Sequence, residues 1–190
     1  MSIAILVIAA GASRRLGQAK QLLRHRNTFL LHYILDECVV SRLGDVHLVL
    51  GANRAQIQTK IDLNIPIYFN NDWSEGMGKS IAFGMQQIMQ KNYDGVIVTV
   101  GDQPFFDQYI LKELVLKQKE KQAKIVISTY SKGAGTPCYF DKSLFAELCQ
   151  LRSDIGAKPI IKKYHHLVER IDFPKGHIDI DTTADLKYLQ

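Results

Sequence analysis

The sequence has few cysteines and no paired cysteine motif. Cys38, Cys138 and Cys149 are odd in number, lie far apart, and show no Cys-x-x-Cys or Cys/His spacing. This pattern favours neither a disulfide framework nor a zinc site, so we expect reduced thiols in a cytoplasmic protein. The six histidines also lack a spacing typical of metal ligands.

Long hydrophobic runs are missing as well. The apolar run at 3–10 falls short of the roughly 18 residues that a membrane helix needs, and no Lys or Arg precedes it as in a signal peptide. With 5 Pro and 13 Gly in 190 residues, a disordered or fibrous chain has little support. We therefore expect a soluble globular protein that does not bind membranes.

Charge of one sign is only slightly in excess. The net charge of +5 suits polyanionic small molecules such as nucleotides, and also weak nucleic-acid binding. Most of the responsible lysines lie in 112–124 and 158–163, where the solvated face of a helix explains them. We expect no nucleic-acid partner.

Short apolar runs alternate with amphipathic segments. This succession predicts a single domain over residues 1–190 with a mainly parallel sheet covered by helices on both faces, a Rossmann-like three-layer α/β/α sandwich. Expected strands are 3–10, 46–50, 65–69, 95–100, 125–129, 137–140, 167–172 and 179–181. Expected helices are 29–40, 54–60, 79–91, 108–122, 142–151, 157–164 and 183–189.

Polar segments that contain glycine follow three of these strands, at 11–17, 70–78 and 101–104. The carboxyl ends of parallel strands face a common crevice, where ligands bind in such sheets. In 11–17, Gly11 permits a sharp turn, and Arg15 and Lys20 add positive charge beside backbone N–H groups that can hold phosphate. A glycine loop with basic surface residues explains the same pattern.

Two acidic positions are candidate metal ligands. Asp102 follows an apolar strand and can hold Mg²⁺ beside a phosphate site, although this segment taken alone is better explained by an aspartate that begins a turn before Pro104. Asp179 and Asp181 would share one face of a strand, and Asp181 or Thr182 also resembles the start of a helix capping box. Residues 76–80 do not form a P-loop, because Trp73 stands where that motif needs glycine.

Together these segments resemble the MobA-like nucleotidyltransferases, a branch of the glycosyltransferase-A-like fold, and are most similar to the cytidylyltransferases of the molybdenum cofactor. The resemblance covers essentially the whole chain. The matching motifs are, in chain order, Ala9-Ala10-Gly11-x-Ser13-x-Arg15-Leu16-Gly17-x-x-Lys20, Glu75-Gly76-Met77-x-x-Ser80-Ile81-x-x-Gly84, Gly101-Asp102-x-Pro104, Gly135-Thr136-Pro137, residues 153–158, and Asp179-Ile180-Asp181-Thr182.

The resemblance implies a Mg²⁺-dependent transfer of CMP from CTP to molybdopterin, with an apo-molybdoenzyme as a further partner. It implies that Arg15 binds the departing pyrophosphate, that Lys20 binds the α-phosphate, and that Asp102 is catalytic with them. The implied metal ligands are Asp102 and Asp181, with Asp179 as the less favoured second carboxylate. The implied nucleotide-binding residues are Ala9, Ala10, Gly11, Ala12, Ser13, Arg15, Lys20 and Gly101, and the implied acceptor-binding residues are Gly76, Met77, Ser80, Thr136 and Asp154.

Alternatives concern the donor and the acceptor. Relatives that transfer GMP usually carry Gly where this chain has Ala10, which favours CTP over GTP. Thr136, Ser153 and Lys158 stand where the family often has His, Gly and Arg, all near the acceptor. A sugar phosphate or methylerythritol phosphate as acceptor, and a non-catalytic chaperone for the molybdenum cofactor, therefore remain open.

Overall fold

A computed structural model describes residues 1–152 and 154–190. Strands and helices alternate along the chain, as the sequence predicts. The strands are β1 (Ile3–Ala9), β2 (Arg24–His25), β3 (Thr28–Phe29), β4 (Asp45–Leu50), β5 (Ile67–Phe69), β6 (Gly95–Val100), β7 (Ile125–Tyr130), β8 (Gly133–Asp141) and β9 (Val168–Asp172). The α-helices are α1 (Leu30–Val40), α2 (Arg54–Gln58), α3 (Met77–Ile88), α4 (Gln108–Lys121), α5 (Phe145–Leu148) and α6 (Lys158–Lys163), and 3-10 turns cover Lys20–Leu22, Trp73–Glu75, Lys142–Leu144, His165–Leu167 and Thr183–Tyr188.

The main sheet has the strand order β5-β4-β1-β6-β8-β7-β9. Strands β5, β4, β1 and β6 are parallel, whereas β8 runs antiparallel to both of its neighbours, β6 and β7. Strands β2 and β3 form a separate small hairpin. The predicted mainly parallel sheet in an α/β/α fold is therefore confirmed.

Strand β1 shows why the sheet is covered on both faces. Successive side chains of a strand point to opposite faces. Ile5 and Val7 join a core with α1 and α4, and Leu6 and Ile8 join a second core with α3, α5 and α6. Ile5, Leu6 and Val7 have no exposed surface, and full burial of each such side chain contributes about 1.5–3 kcal/mol. Strand β1 is therefore apolar at every position because its alternate side chains pack into two different cores.

Several predicted bounds are wrong in detail. The expected helix 142–151 is a 3-10 turn followed by the short α5, and the last helix is a 3-10 turn at Thr183–Tyr188. Residues 179–181 form no strand. Strand β6 is already paired on both edges by β1 and β8, so this segment packs on the loop after β6, where the Ile180 N–H donates to the Asp102 carbonyl at 3.0 Å.

The topology brings one set of loops to a common edge of the sheet. The parallel strands β1, β4 and β6 end there, and the antiparallel β8 begins there. Backbone hydrogen bonds join these loops: Gly101 N–H donates to Ile8 O at 3.1 Å, and Ala52 N–H donates to Ala10 O at 3.0 Å. Among the described residues, no helix is long and apolar enough to cross a bilayer.

Candidate active site

A cavity of about 350 Å³ opens at this edge of the sheet, between the loops that follow β1 and β6 and the start of α3. We call it the first cavity. It contains all of the predicted nucleotide-binding residues and both predicted metal ligands. Its lining comprises Ile8, Ala9, Ala10, Gly11, Ala12, Ser13, Arg14, Arg15, Lys20, Gln21, Trp73, Ser74, Gly76, Met77, Ser80, Val100, Gly101, Asp102 and Asp181.

The loop after β1 is held by its own hydrogen bonds. Ser13 has φ 54°, and its carbonyl accepts from the N–H groups of Leu16 and Gly17 at 3.1 Å each, which closes a tight turn. The Ser13 hydroxyl accepts from the Lys20 N–H at 3.1 Å. Gln21, only 1% exposed, donates to the carbonyls of Ala9 and Gly11 at 3.1 Å. Gln21 is not predicted from the sequence, because nothing in its sequence context distinguishes it from a surface glutamine.

Four charged side chains from distant parts of the chain meet in this cavity. The Lys20 ammonium lies 2.5 Å from Asp102 Oδ2 and 2.7 Å from Asp181 Oδ1. The Arg15 guanidinium lies 2.6 Å from Asp181 Oδ2. Burial opposes the charge on Lys20, but Asp102 and Asp181 outweigh it and raise the pKa of Lys20 to about 12. The basic loop and the acidic positions therefore form one site.

Asp179 adds a third carboxyl group near this network. Burial, followed by the negative charge of Asp102, raises the pKa of Asp179 to about 7. Asp179 lines a different cavity from Asp181, so the two side chains do not share the single face that a strand would give them.

The acidic residues are suited to a metal ion that takes its other ligands from a bound substrate. Asp102 Oδ1 is buried and has no hydrogen-bond partner. Within residues 1–152 and 154–190, no three His, Cys, Asp or Glu side chains are grouped so as to hold a metal by themselves. Mg²⁺ is usually bound through one or two carboxylates together with substrate phosphates. Asp102 with Asp181 or Asp179 matches that arrangement.

A second cavity of about 220 Å³ adjoins the first, and Met77, Val100 and Asp102 line both. The predicted acceptor-binding residues Thr136 and Asp154 lie in its wall with Gln103 and Asp179. Of the motif at 153–158, Ser153 lies outside the described residues. The structure thus brings the predicted donor-side and acceptor-side residues to adjacent cavities that meet at Asp102.

The start of α3 contributes the other predicted acceptor-side residues, in two different ways. Gly76 lines the first cavity, and Met77, 40% exposed, lines both. Ser80 is 2% exposed, and its hydroxyl accepts from Asn70 Nδ2 at 3.1 Å and faces the Gly76 carbonyl at 3.5 Å. The Ser80 hydroxyl therefore anchors the first turn of α3 to the end of β5, a role that its predicted contact with the acceptor did not anticipate.

Trp73 forms one wall of the first cavity, a position that was not predicted from the sequence. It lines the first cavity and an open groove of about 620 Å³ on its other side, which also involves Asn53, Arg54 and Asn71. A Cβ atom on Gly51 would lie 2.4 Å from the Trp73 Cβ, so only glycine at 51 lets Trp73 pack here. The signal available in the sequence was the sole tryptophan of the chain within a polar loop.

Comparison with known proteins agrees with this geometry. Residues 5–168 match the family described as MobA-like NTP transferase domain. The nicotine blue oxidoreductase of Paenarthrobacter nicotinovorans is 29% identical over 196 residues, covering 97% of this chain and 94% of the relative. The purine catabolism protein PucB of Bacillus subtilis (strain 168) is 27% identical over 166 residues, covering 82% and 78%.

Solved structures show the same fold over the whole chain. Rv0371c from Mycobacterium tuberculosis H37Rv superposes with a TM-score of 0.87 at 26% identity, covering 100% of this chain and 97% of the other. A manganese complex of Rv0371C superposes with a TM-score of 0.82 at 24% identity, covering 98% and 97%.

Proposed function

The chain belongs to the MobA-like NTP transferase family and is a nucleotidyltransferase, and we propose that it transfers CMP from CTP to the phosphate of molybdopterin with Mg²⁺ as cofactor. The observation that carries the proposal is the Lys20 ammonium between Asp102 and Asp181 in a cavity that adjoins a second one. Two carboxylates that can bind a divalent cation, with a lysine and an arginine beside them, suit a reaction between two polyanions, because both need their charge neutralised.

In the proposed reaction, a phosphate oxygen of the acceptor attacks the α-phosphorus of CTP. The bond from that phosphorus to the bridging oxygen breaks, and pyrophosphate leaves with the electron pair. The backbone of Ala10–Ser13 holds the phosphates, Lys20 neutralises charge on the α-phosphate, and Arg15 binds the departing pyrophosphate. Asp102 and Asp181 would hold Mg²⁺, which supplies further charge neutralisation when bound.

The choice of CTP rests on the wall formed by β1 and the loop after it. Ala10 lines the first cavity and is 4% exposed, and alanine at this position needs more room than the glycine that relatives transferring GMP usually carry. A smaller base suits the narrower site. Thr136, Asp154 and Lys158 provide hydrogen-bonding groups and a positive charge in the second cavity for a phosphorylated acceptor.

Two wider proposals follow from the same features. We propose that residues 1–190 act as one domain, because the first cavity combines β1 with Asp181 near the end of the chain. We also propose a cytoplasmic location, since Cys38, Cys138 and Cys149 are all free and buried. An apo-molybdoenzyme is the proposed recipient of the product.

The test is a matrix of donors and acceptors, with pyrophosphate release as the readout. CTP, GTP, ATP and UTP are each combined with Mg²⁺ and with molybdopterin, methylerythritol phosphate or a sugar phosphate. We expect release with CTP and molybdopterin above all other pairs. Release only with another pair would reassign the donor or acceptor, and no release with any pair, combined with tight binding of molybdopterin, would identify a chaperone.

One relative is named as an oxidoreductase, and that observation favours a second candidate function. An additional arm of the matrix therefore follows the absorbance of NADH and NADPH in the presence of a reducible dye. Oxidation of either cofactor at a rate above that of pyrophosphate release would favour an oxidoreductase over the proposed transferase.

A further inference from the structure

We infer that Gln103 is a positioning residue that fixes the carboxylates of the first cavity relative to the wall of the second. The inference rests on the proposed function, because it concerns the geometry of that same reaction. Gln103 directly follows Asp102, is 1% exposed, and lines the second cavity.

The Gln103 side chain joins three separate segments. Its amide nitrogen donates to the Gly176 carbonyl at 2.6 Å and to the Thr136 carbonyl at 3.2 Å, and it lies 3.4 Å from the Tyr130 hydroxyl. Tyr130 also donates to the Thr136 carbonyl. The loop after β6, the start of β8 and the segment before Asp179 therefore meet at one carboxamide.

The orientation of this carboxamide is determined by its neighbours. Two carbonyl oxygens face the same atom of Gln103, and carbonyl oxygens can only accept hydrogen bonds. That atom must be the nitrogen, and the Gln103 Oε1 is left buried without a partner. The contacts of this carboxamide with the two backbone carbonyls are therefore made by its N–H groups.

Glycines around Tyr130 make the contact possible. A Cβ on Gly176 would lie 2.3 Å from Tyr130 Cε1, and a Cβ on Gly135 would lie 2.8 Å from the Tyr130 hydroxyl. The backbone therefore approaches the ring closely from two sides. This packing leaves little freedom for Thr136 to move independently of Gln103.

The segment that carries Asp179 and Asp181 depends on such tethers, because it forms no strand. Two hydrogen bonds link it to the loop after β6: Ile180 N–H to Asp102 O at 3.0 Å, and Gln103 to Gly176 O. Loss of the Gln103 tether would let this segment move away from Asp102. Both the metal site and the acceptor wall would then lose their alignment, whereas the backbone of the loop after β1, which is held by its own hydrogen bonds, would not.

The experiment compares Gln103→Met, which keeps the length of the side chain but removes its donors, with Gln118→Met as a matched control. Gln118 is a buried glutamine of α4, 8% exposed, that lines none of the cavities described above. The measurements are kcat, KM for CTP, thermal midpoint, and Mn²⁺ affinity by electron paramagnetic resonance with a non-hydrolysable CTP analogue bound.

For Gln103→Met we expect kcat to fall at least tenfold and Mn²⁺ affinity to fall three- to tenfold, with KM for CTP within twofold of wild type. For Gln118→Met we expect kcat and Mn²⁺ affinity within twofold of wild type and a thermal midpoint that is unchanged or slightly higher, because the Gln118 Oε1 is buried without a partner. Unchanged kcat and Mn²⁺ affinity in Gln103→Met, or the same losses in both variants, would overturn the inference. Should Gln103→Met fail to fold, Tyr130→Phe, which removes one hydroxyl from the cluster, should show smaller changes in the same direction, and an unaltered Tyr130→Phe would also overturn it.

A failure of the proposed function can be distinguished from a failure of the inference about Gln103. If the wild-type protein releases no pyrophosphate from CTP, the function is wrong, while the Mn²⁺ measurement, repeated with a non-hydrolysable analogue of whichever nucleoside triphosphate binds, still decides the role of Gln103.

Discussion

Replacement of Lys20 by Met gives a sharp test of the charged network, because it separates the contribution of Lys20 to stability from its contribution to catalysis. The Lys20 side chain is 12% exposed and contacts Asp102 and Asp181. Its pKa rises from 10.5 to about 12, which corresponds to a net stabilisation of the charged form by about 2 kcal/mol. Since the folded pKa is the higher one, this stabilisation is fully present below pH 10.5 and is lost as the pH rises through 12.

At neutral pH, Lys20→Met should therefore lower the free energy of unfolding by about 2 kcal/mol, or the melting temperature by about 4–8 °C for a chain of this length. Domains are usually stable by about 5–15 kcal/mol, so nearly all of the variant stays folded at 25 °C. Loss of a charge that stabilises the transition state typically lowers kcat about 100- to 1,000-fold. The expected loss of activity thus greatly exceeds any loss of folded protein.

The assay is pyrophosphate release under saturating CTP and acceptor, together with calorimetric melting of the same samples. Lys124→Met serves as the control, because Lys124 pairs with Asp141 at 2.9 Å and neither residue lines a cavity described above. The control should keep its kcat and melt within about 2 °C of wild type, since exposed pairs contribute little. A Lys20→Met variant that retained more than a tenth of the wild-type kcat would refute the role of Lys20.

Three further predictions concern single residues. Asp102→Asn should reduce turnover by at least about a thousandfold and weaken Mn²⁺ binding, because an amide is a poorer ligand; near-normal activity would remove Asp102 from the metal site. Arg15→Ala should lower kcat while the melting temperature stays almost constant, because the Arg15 side chain is 71% exposed; equal losses in both would indicate a structural role. Burial lowers the pKa of His47 from 6.5 to about 4. The difference in unfolding free energy between wild type and His47→Gln, measured in urea, should therefore be constant above pH 6.5 and change by up to about 1.4 kcal/mol per pH unit between 6.5 and 4, to the disadvantage of wild type. The opposing titration of Asp179 is common to both proteins and cancels in this difference; a difference that is the same at all pH values would contradict the prediction.

Much of the site could be predicted because it follows from strand direction. The segments after β1 and β6 both end at the carboxyl edge of a parallel sheet, so Lys20 and Asp102 had to face the same crevice. The position of Asp181 could not be derived in this way, since its segment forms no strand. Its assignment came from resemblance to a family, and the structure brings its carboxylate to 2.7 Å from Lys20.

Several roles that escaped prediction share one property: they are performed by buried side-chain amides or hydroxyls. Gln21, Ser80 and Gln103 are each no more than 2% exposed and bond to backbone or side-chain groups of other segments. Such bonds depend on distances between segments that are remote in sequence. Composition and periodicity do not report those distances, so a buried glutamine has the same local signature as an exposed one.

The antiparallel direction of β8 affects which parts of the site can change in the course of evolution. The segment Gly133–Thr136 reaches the second cavity as one arm of a hairpin whose tip is only Ser131 and Lys132, whereas the first cavity is built by the turns after β1 and β6. Insertions at that tip would change the wall that β8 gives to the second cavity and would leave the loops of the first cavity unchanged. The fold therefore allows the ligand of the second cavity to change in the course of evolution while the residues of the first cavity stay the same.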